Sequence, residues 1–352
     1  MRVGVVALDN PHPPDYGGAW DIFYRIKALA AAGIEVDLVY FHKPLRAAAA
    51  PELAGLCRSV RGVARKTGLA AALSPLPYIV ATRQACGDFE TLPLIVEGVH
   101  GSQFSGRRGN TILRVHNIES RYYSELAERE SNPWKKTYFY LESQKLKRYE
   151  PKAWAAADVL ACISRNEAEY LKNRGYPALW LPPFAEVRLF PPRVEKNLLF
   201  YGNMHVSENR LSARRAMDTR LPEGWTLTLA GRGAQSLPQY RGAERVEHPE
   251  SLGPLMARAA ALVFPQSQRA GLKIKVWQAL ATNKAVIATP EALAGTGIAF
   301  DPEAGIFPFQ SDLGDLVRAL QPEYHRPRIH ALVSGQNPET GLAAWKKILF
   351  GP

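Results

Sequence analysis

The chain has 352 residues, too many for one ordinary hydrophobic core, so two domains are expected. Hydrophobic residues make up 46% and charged residues 22%, an ordinary globular balance, and no stretch approaches the roughly 20 unbroken apolar residues of a membrane-crossing helix. The net charge of +11 implies a polyanionic neighbour (nucleic acid, an anionic membrane face or a phosphorylated substrate) or serves solubility alone, and charge does not separate these.

In chain order, the opening MRVGVVALDN has a short apolar run that enters an Asp-Asn-Pro turn, which reads as a first buried strand and not as a signal peptide. Val3–Leu8, a helical Trp20–Ala32, a Gly33 cap and Val36–Phe41 then give a β-α-β alternation, which predicts a parallel sheet covered by helices. Leu94–Val96, Thr111–Val115 and Val159–Ile163 continue the series. The proline-dense segment from Leu181-Pro-Pro-Phe to Phe190-Pro-Pro reads as an interdomain linker. A second series follows: Asn197–Tyr201, Thr226–Ala230, Arg245–Glu247, Ala261–Phe264 and Ala285–Ala288. Leu342–Leu349 has helical spacing and is expected to pack back across the linker. The expected domains are therefore residues 1–185 and 193–330, with 331–352 as a C-terminal helix on the first. Cys57, Cys86 and Cys162 stand far apart in no metal-binding spacing, which disfavours a disulfide framework or a zinc site and fits a reducing cytoplasm.

The strongest chemical signal lies between Phe264 and Thr289. A strand ends at Pro265, a polar loop leads to Gly271, a helix runs to Ala281, and another strand ends at Thr289. Unpaired N–H groups and the positive dipole end of such a helix suit an anion. Lys273 and Lys275 add charge there, and Gly271 lets a ligand approach the backbone. Lysines at a helix start oppose its dipole, which favours a diphosphate site over a merely solvated face.

With Tyr201-Gly-Asn before it and Leu229-Ala-Gly-Arg-Gly between, this stretch resembles the C-terminal domain of family 4 glycosyltransferases. Gly17-Gly18, Glu97-Gly-Val-His100, Arg114-Val-His-Asn-Ile-Glu-Ser-Arg-Tyr-Tyr123 and Ala157-Asp-Val-Leu-Ala-Cys-Ile-Ser164 resemble N-terminal motifs of one bacterial branch of that family, the polysaccharide or glycolipid type. The resemblance runs from about Val3 to Phe350. It implies an α/β protein of the GT-B fold: two doubly wound Rossmann-like domains with an interdomain cleft, the first binding acceptor and the second a nucleotide sugar. It also implies hexosyl transfer with retention, without metal, and with no cofactor beyond the nucleotide-sugar donor. Gly17, Gly18, Arg232, Gly271, Leu272, Lys273 and Gln278 are the implied donor contacts. His116 is matched to the histidine that meets the transferred sugar; Lys275 is placed to stabilise the leaving group, and Glu97 and His100, at the end of another strand, are placed to bind the acceptor, with a structural capping role equally open to Glu97. Asn209, with Arg210 beside it, occupies a slot where relatives place a basic diphosphate ligand. The family usually carries two glutamates eight residues apart, and those slots fall on Ala270 and Gln278. A neutral Gln278 loses the charge-assisted bond to ribose, roughly twice as strong as a neutral one.

Two basic regions of the first half bear on partners. Arg46–Ala72 carries Arg46, Arg58, Arg61, Arg65 and Lys66, and Trp134–Tyr149 interleaves aromatics with Lys135, Lys136, Lys145, Lys147 and Arg148. Both suit an anionic membrane interface or a lipid-linked acceptor, and equally an ordinary amphipathic helix. No nucleic-acid recognition motif accompanies them. The expected protein is cytoplasmic, at most peripheral to the inner membrane face, and takes a saccharide or lipid-linked acceptor. The alternatives are a catalytically silent GT-B binding protein or another GT-B enzyme such as a sugar-nucleotide epimerase. The epimerase would need paired acid/base carboxylates, and no convincing pair stands out.

Overall fold

The computed structural model describes residues 1–14, 16–44, 50–83, 89, 92–104, 110–184, 195–239, 242–247, 252–282, 284–320 and 338–351. They fall into two compact units: Met1–Phe184 with Ala270–Leu272 and Pro338–Pro352, and Ala185–Arg269 with Lys273–Asn337. Cys86, Arg46 and the Phe190-Pro-Pro part of the expected linker lie outside the described residues.

The first unit opens with β1 (Arg2–Ala7), α1 (Gly17–Ala31), β2 (Glu35–His42), α2 (Pro51–Leu56), β3 (Ser59–Ala64), α3 (Leu69–Ala72) and α4 (Tyr78–Ala81). It continues with β4 (Leu94–Glu97), β5 (Thr111–Val115), α5 (Glu119–Arg129), α6 (Pro133–Ala155), β6 (Val159–Cys162), α7 (Arg165–Lys172) and β7 (Ala178–Trp180). All strands pair in parallel in the order β3-β2-β1-β4-β5-β6-β7. The central strands are buried on both faces, as a parallel sheet sandwiched by helices requires, and therefore read as unbroken apolar runs.

Helix α1 shows how sequence sets this packing. Ala19, Ile22, Ile26 and Leu29 recur at three- and four-residue spacing and are fully buried, and Gly33 at φ +74° ends the helix with its N–H on the Ala30 carbonyl. Asp21 and Arg25 lie on the same buried face, an unusual place for charge. The helix starts at Gly17, three residues before the expected Trp20, so Gly17 and Gly18 form its first turn and not a turn ahead of it.

The second unit contains β8 (Asn197–Tyr201), α8 (Ser207–Met217), β9 (Thr226–Ala230), β10 (Ala243–Val246), α9 (Gly253–Arg258), β11 (Ala261–Phe264), α10 (Ile274–Ala281), β12 (Ala285–Ala288), α11 (Pro290–Leu293), β13 (Ile306–Pro308) and α12 (Gly314–Ala319). Its parallel order, β10-β9-β8-β11-β12-β13, is the 3-2-1-4-5-6 arrangement of a Rossmann sheet. The order reverses between β8 and β11 here and between β1 and β4 in the first unit. Ligands of open α/β sheets bind beyond the carboxyl ends of the strands at such reversals.

The last helix, α13 (Pro338–Phe350), belongs to the first unit, where Trp345 and Leu349 join the core of Val3, Val5, Ile22, Ile26 and Val36. Among the described residues no helix is long and apolar enough to cross a membrane.

Candidate functional site

In the second unit, the carboxyl ends of β8 and β9 and the start of α10 build one cradle. Gly231, at φ +121°, lies so close to the Gly202 carbonyl that any Cβ would collide with it. A Cβ on Gly202 would stand 2.6 Å from Lys275 Nζ, so the ammonium rests against bare backbone. Lys275 Nζ donates to Asn209 Oδ1 at 2.6 Å, and Asn209 Nδ2 to the Asn203 carbonyl at 2.9 Å. The rings of Phe200 and Tyr201 lie 5.4 and 5.9 Å from the same Nζ. Burial pushes the ammonium down to about 7, Lys273 pushes the same way, and Glu208 opposes them. A half-buried lysine at a helix start, beside a second lysine, is a group whose charge an anion would stabilise. Glu208 meanwhile accepts from Ser267 N at 2.7 Å and Gln268 N at 3.0 Å, fixing the loop after β11.

Gln278, one turn into α10, accepts the Tyr201 hydroxyl at 2.9 Å, which orients its amide. Arg232, in the Gly231-Arg-Gly233 turn, is exposed. The expected helix from Gly271 begins only at Ile274, with Lys273 as its cap. Gly271, at φ +68°, and Leu272 instead pack with the first unit, where Asn117 leaves no room for a side chain on Gly271.

In the first unit a dry network surrounds His116, just beyond β5. His116 Nε2 lies 2.8 Å from Glu97 Oε2, at the end of β4. The other Glu97 oxygen receives Arg25 Nη2, while Arg25 Nη1 donates to Asp21 at 3.0 Å. Arg114 grips Asp21 with two bonds, 2.9 Å from Nε and 2.8 Å from Nη2, and sends Nη1 to the Leu181 carbonyl at 2.5 Å. Burial alone would raise the Asp21 carboxyl, but Arg114 and then Arg25 outweigh it and hold the group well below the usual carboxylate range. Trp345 covers the pair, its ring 5.0 Å from the Arg25 guanidinium and 5.4 Å from that of Arg114.

Of the two roles open to Glu97, this arrangement fits the structural one: the residue is shut off from solvent with both oxygens engaged. It orients His116. Nε2 is thereby committed to the carboxylate, which leaves Nδ1 as the ring nitrogen able to meet another group. Nδ1 is buried and has no hydrogen-bond partner among the described residues. Asp21, Glu97 and His116 are close enough to share a cation, but two guanidinium charges already match the two carboxylates, so nothing negative is left to attract one. His100 sits in the 3-10 turn Val99–Phe104, half-buried, and burial followed by Arg83 holds it well below the ordinary histidine range.

The backbone leading from His116 is fixed by two buried acids. Glu167 Oε1 accepts Ile118 N at 3.0 Å, and Glu150 accepts Glu119 N at 2.6 Å and Ser120 N at 3.3 Å.

Residues 195–321 match the family model described as Glycosyl transferases group 1. A protein of Klebsiella pneumoniae, described as an uncharacterized 44.6 kDa protein in the cps region, is 25% identical over 335 residues, 84% of each chain. Among solved structures, TarM matches with TM-score 0.66 at 9% identity, covering 99% of this chain and 98% of that one. Anabaena Alr3699/HepE in complex with UDP and glucose matches with TM-score 0.64 at 12% identity, covering 99% of each. The pneumococcal O-GlcNAc transferase GtfA in complex with UDP and GlcNAc matches with TM-score 0.65 at 9% identity, covering 99% and 98%. The fold is thus the GT-B fold, two Rossmann-like units, and the stretch similar to the group 1 family model lies within the second unit.

The network that holds His116 escapes a reading of the sequence. Asp21 and Arg25 carried one signal, charge at stripe positions of an apolar helix, and Arg114 another, charge inside a buried strand. Nothing local linked them to Trp345.

Proposed function

We propose that the protein transfers a hexosyl group from a nucleotide-diphosphate sugar to a saccharide or lipid-linked acceptor, with retention of configuration and without a metal ion. One observation carries the reading: Lys275 is half-buried at the start of α10, its Nζ set against a cradle whose glycines, Gly202 and Gly231, have no room for side chains. A diphosphate would supply negative charge there, and its stabilisation is what a departing nucleoside diphosphate needs as the sugar gains oxocarbenium character. Lys273, Arg232 and the first-turn N–H groups of α10 lie next to Lys275 in the chain or its cradle and supplement it. In the first unit, the unpartnered Nδ1 of His116 suits a sugar hydroxyl, which can both donate and accept, and the first turn of α1 at Gly17 and Gly18 suits an anion. UDP in the HepE and GtfA complexes makes a uridine nucleotide the first donor to try.

Calorimetry with UDP-, GDP- and ADP-sugars tests this. At least one is expected to bind, and Lys275→Ala is expected to weaken UDP at least tenfold while leaving uridine little changed. Equal losses for both would remove Lys275 from the diphosphate site. A second reading, a silent binding protein, is favoured by Ala270 and Gln278 in the usual glutamate slots. It predicts donor binding without turnover, or no donor binding at all.

A further inference from the structure

Apart from the balanced network around His116, the first unit holds a second group of buried charges that is not balanced. Arg65 follows β3 directly and Arg83 lies two residues past α4, and Lys66 N to the Thr82 carbonyl at 2.9 Å ties the two segments side by side. Both guanidinium groups converge on one acceptor. Arg65 Nη2 donates to the Leu8 carbonyl at 2.9 Å, and Arg83 Nε donates to the same oxygen at 3.0 Å. Arg83 is 4% exposed. Its Nη1 turns back to the Ile79 carbonyl at 2.5 Å.

Two like charges on one oxygen repel, and a single carboxylate, Asp9, offsets them in part. Asp9 lies 3.3 Å from Arg65 Nη2, while Arg83 makes no ion pair among the described residues. Glu119, close enough to feel Arg83, is pushed up to about 8 by burial first and Glu150 second, so it is mostly uncharged at neutral pH. Burial, and after it Arg65, brings Arg83 down to about 9. Arg65 Nε is buried without a hydrogen-bond partner, as is Nδ1 of His100 nearby. Leu8 immediately follows β1, the strand at which the sheet order reverses, where open α/β sheets take their ligands. The planar guanidinium fork fits the paired oxygens of a carboxylate or phosphate.

We propose that Arg65 and Arg83 form a subsite for an oxyanion, a phosphate or a carboxylate, carried by the acceptor. The assignment to the acceptor rests on the transferase reading, whereas the anion site itself does not.

The test is calorimetry on the full chain at constant ionic strength, with inorganic phosphate, glucuronate and neutral glucose as probes, with and without saturating UDP. The variants are Arg65→Gln, Arg65→Lys, Arg83→Gln and Lys275→Ala. Phosphate or glucuronate is expected to bind the wild type, to remain bound with UDP present, and to weaken at least tenfold in Arg65→Gln but not in Lys275→Ala. Whichever of the two binds more tightly names the group the acceptor carries. Arg65→Lys, which keeps the charge and loses the fork, is expected to fall between. Arg83→Gln risks misfolding because of its burial, so the variants of Arg65, more accessible and at a strand end, are the decisive ones. Displacement of the anion by UDP, or loss in Lys275→Ala with none in Arg65→Gln, would assign it to the donor and overturn the proposal. Failure of both anions to bind would overturn it as well. If no UDP-sugar binds yet the anion still depends on Arg65, the transferase reading fails and the site stands.

Discussion

Lys275 makes a pH prediction with a definite sign. Its ammonium is pushed down to about 7, mainly by burial, so above neutrality the free protein holds it mostly as the amine. A diphosphate favours the charged form, so binding at pH 8 requires a proton to be taken up. Calorimetry of UDP binding in two buffers of different ionisation enthalpy is expected to show uptake approaching one proton at pH 8, with affinity falling as pH rises through 7. Lys275→Ala is expected to show neither. Gln278 sets a complementary limit. Its carbonyl is already occupied by the Tyr201 hydroxyl, so a ribose would meet a neutral donor where relatives present a carboxylate.

At the level of elements, α5 begins on buried acid. Burial raises Glu119 to about 8 and Glu150 to about 7, against about 4.3 in an unfolded chain. Between those values the folded state holds protons that the unfolded state has released, so stability is fully present at low pH and declines as pH rises through 7 and 8. Lys275, lowered, works in the opposite direction, so the difference between variants is the clean readout. Glu119→Gln is expected to be the more stable protein at pH 8.5 and to lose its advantage at pH 5, measured by urea midpoint. Parallel curves for the two proteins would remove Glu119 from this role. Helix α13 offers a second case. Trp345→Ala empties a core position and uncovers two guanidinium groups, at a cost of about 3–5 kcal/mol in chemical denaturation, with Trp345→Phe retaining part of it. These elements also mark what the sequence made legible. β1, β4, β5, β8, β11 and β12 are buried on both faces, so each reads as an apolar run. Strand β3 was hidden because it lies at the sheet edge and its Ser-Val-Arg-Gly-Val-Ala is half exposed. The lysine cradle was partly legible, since its glycines and lysines are close in sequence pattern. The His116 network was not, because its stabilisation comes from groups on α1, β4, β5 and α13 that meet only in three dimensions.

For the whole molecule, the charge of +11 has a visible outlet on α6. Residues 133–138 and Tyr140 and Leu141 are all exposed, with Trp134 at 85% and Lys135 and Lys136 beside it. Farther along, Leu146, Ala153 and Trp154 turn inward, so the helix is core at one end and surface at the other. On the peripheral-membrane reading, vesicles containing anionic lipid are expected to bind the protein, neutral vesicles not, and half-molar salt is expected to release it. Binding indifferent to both lipid charge and salt would end that reading. The placement of Trp345 has a further consequence, in the time order of synthesis. Asp21, Arg25, Glu97 and Arg114 all leave the ribosome long before the ring that covers them. At roughly 5–20 residues per second the stretch from Phe184 to Trp345 takes on the order of ten to thirty seconds. During that interval Arg25 and Arg114 lack the ring that lies over them in the finished fold. Folding of the first unit therefore waits for a helix encoded on the far side of the second unit, and a chain broken off anywhere between the two leaves its first unit unfinished.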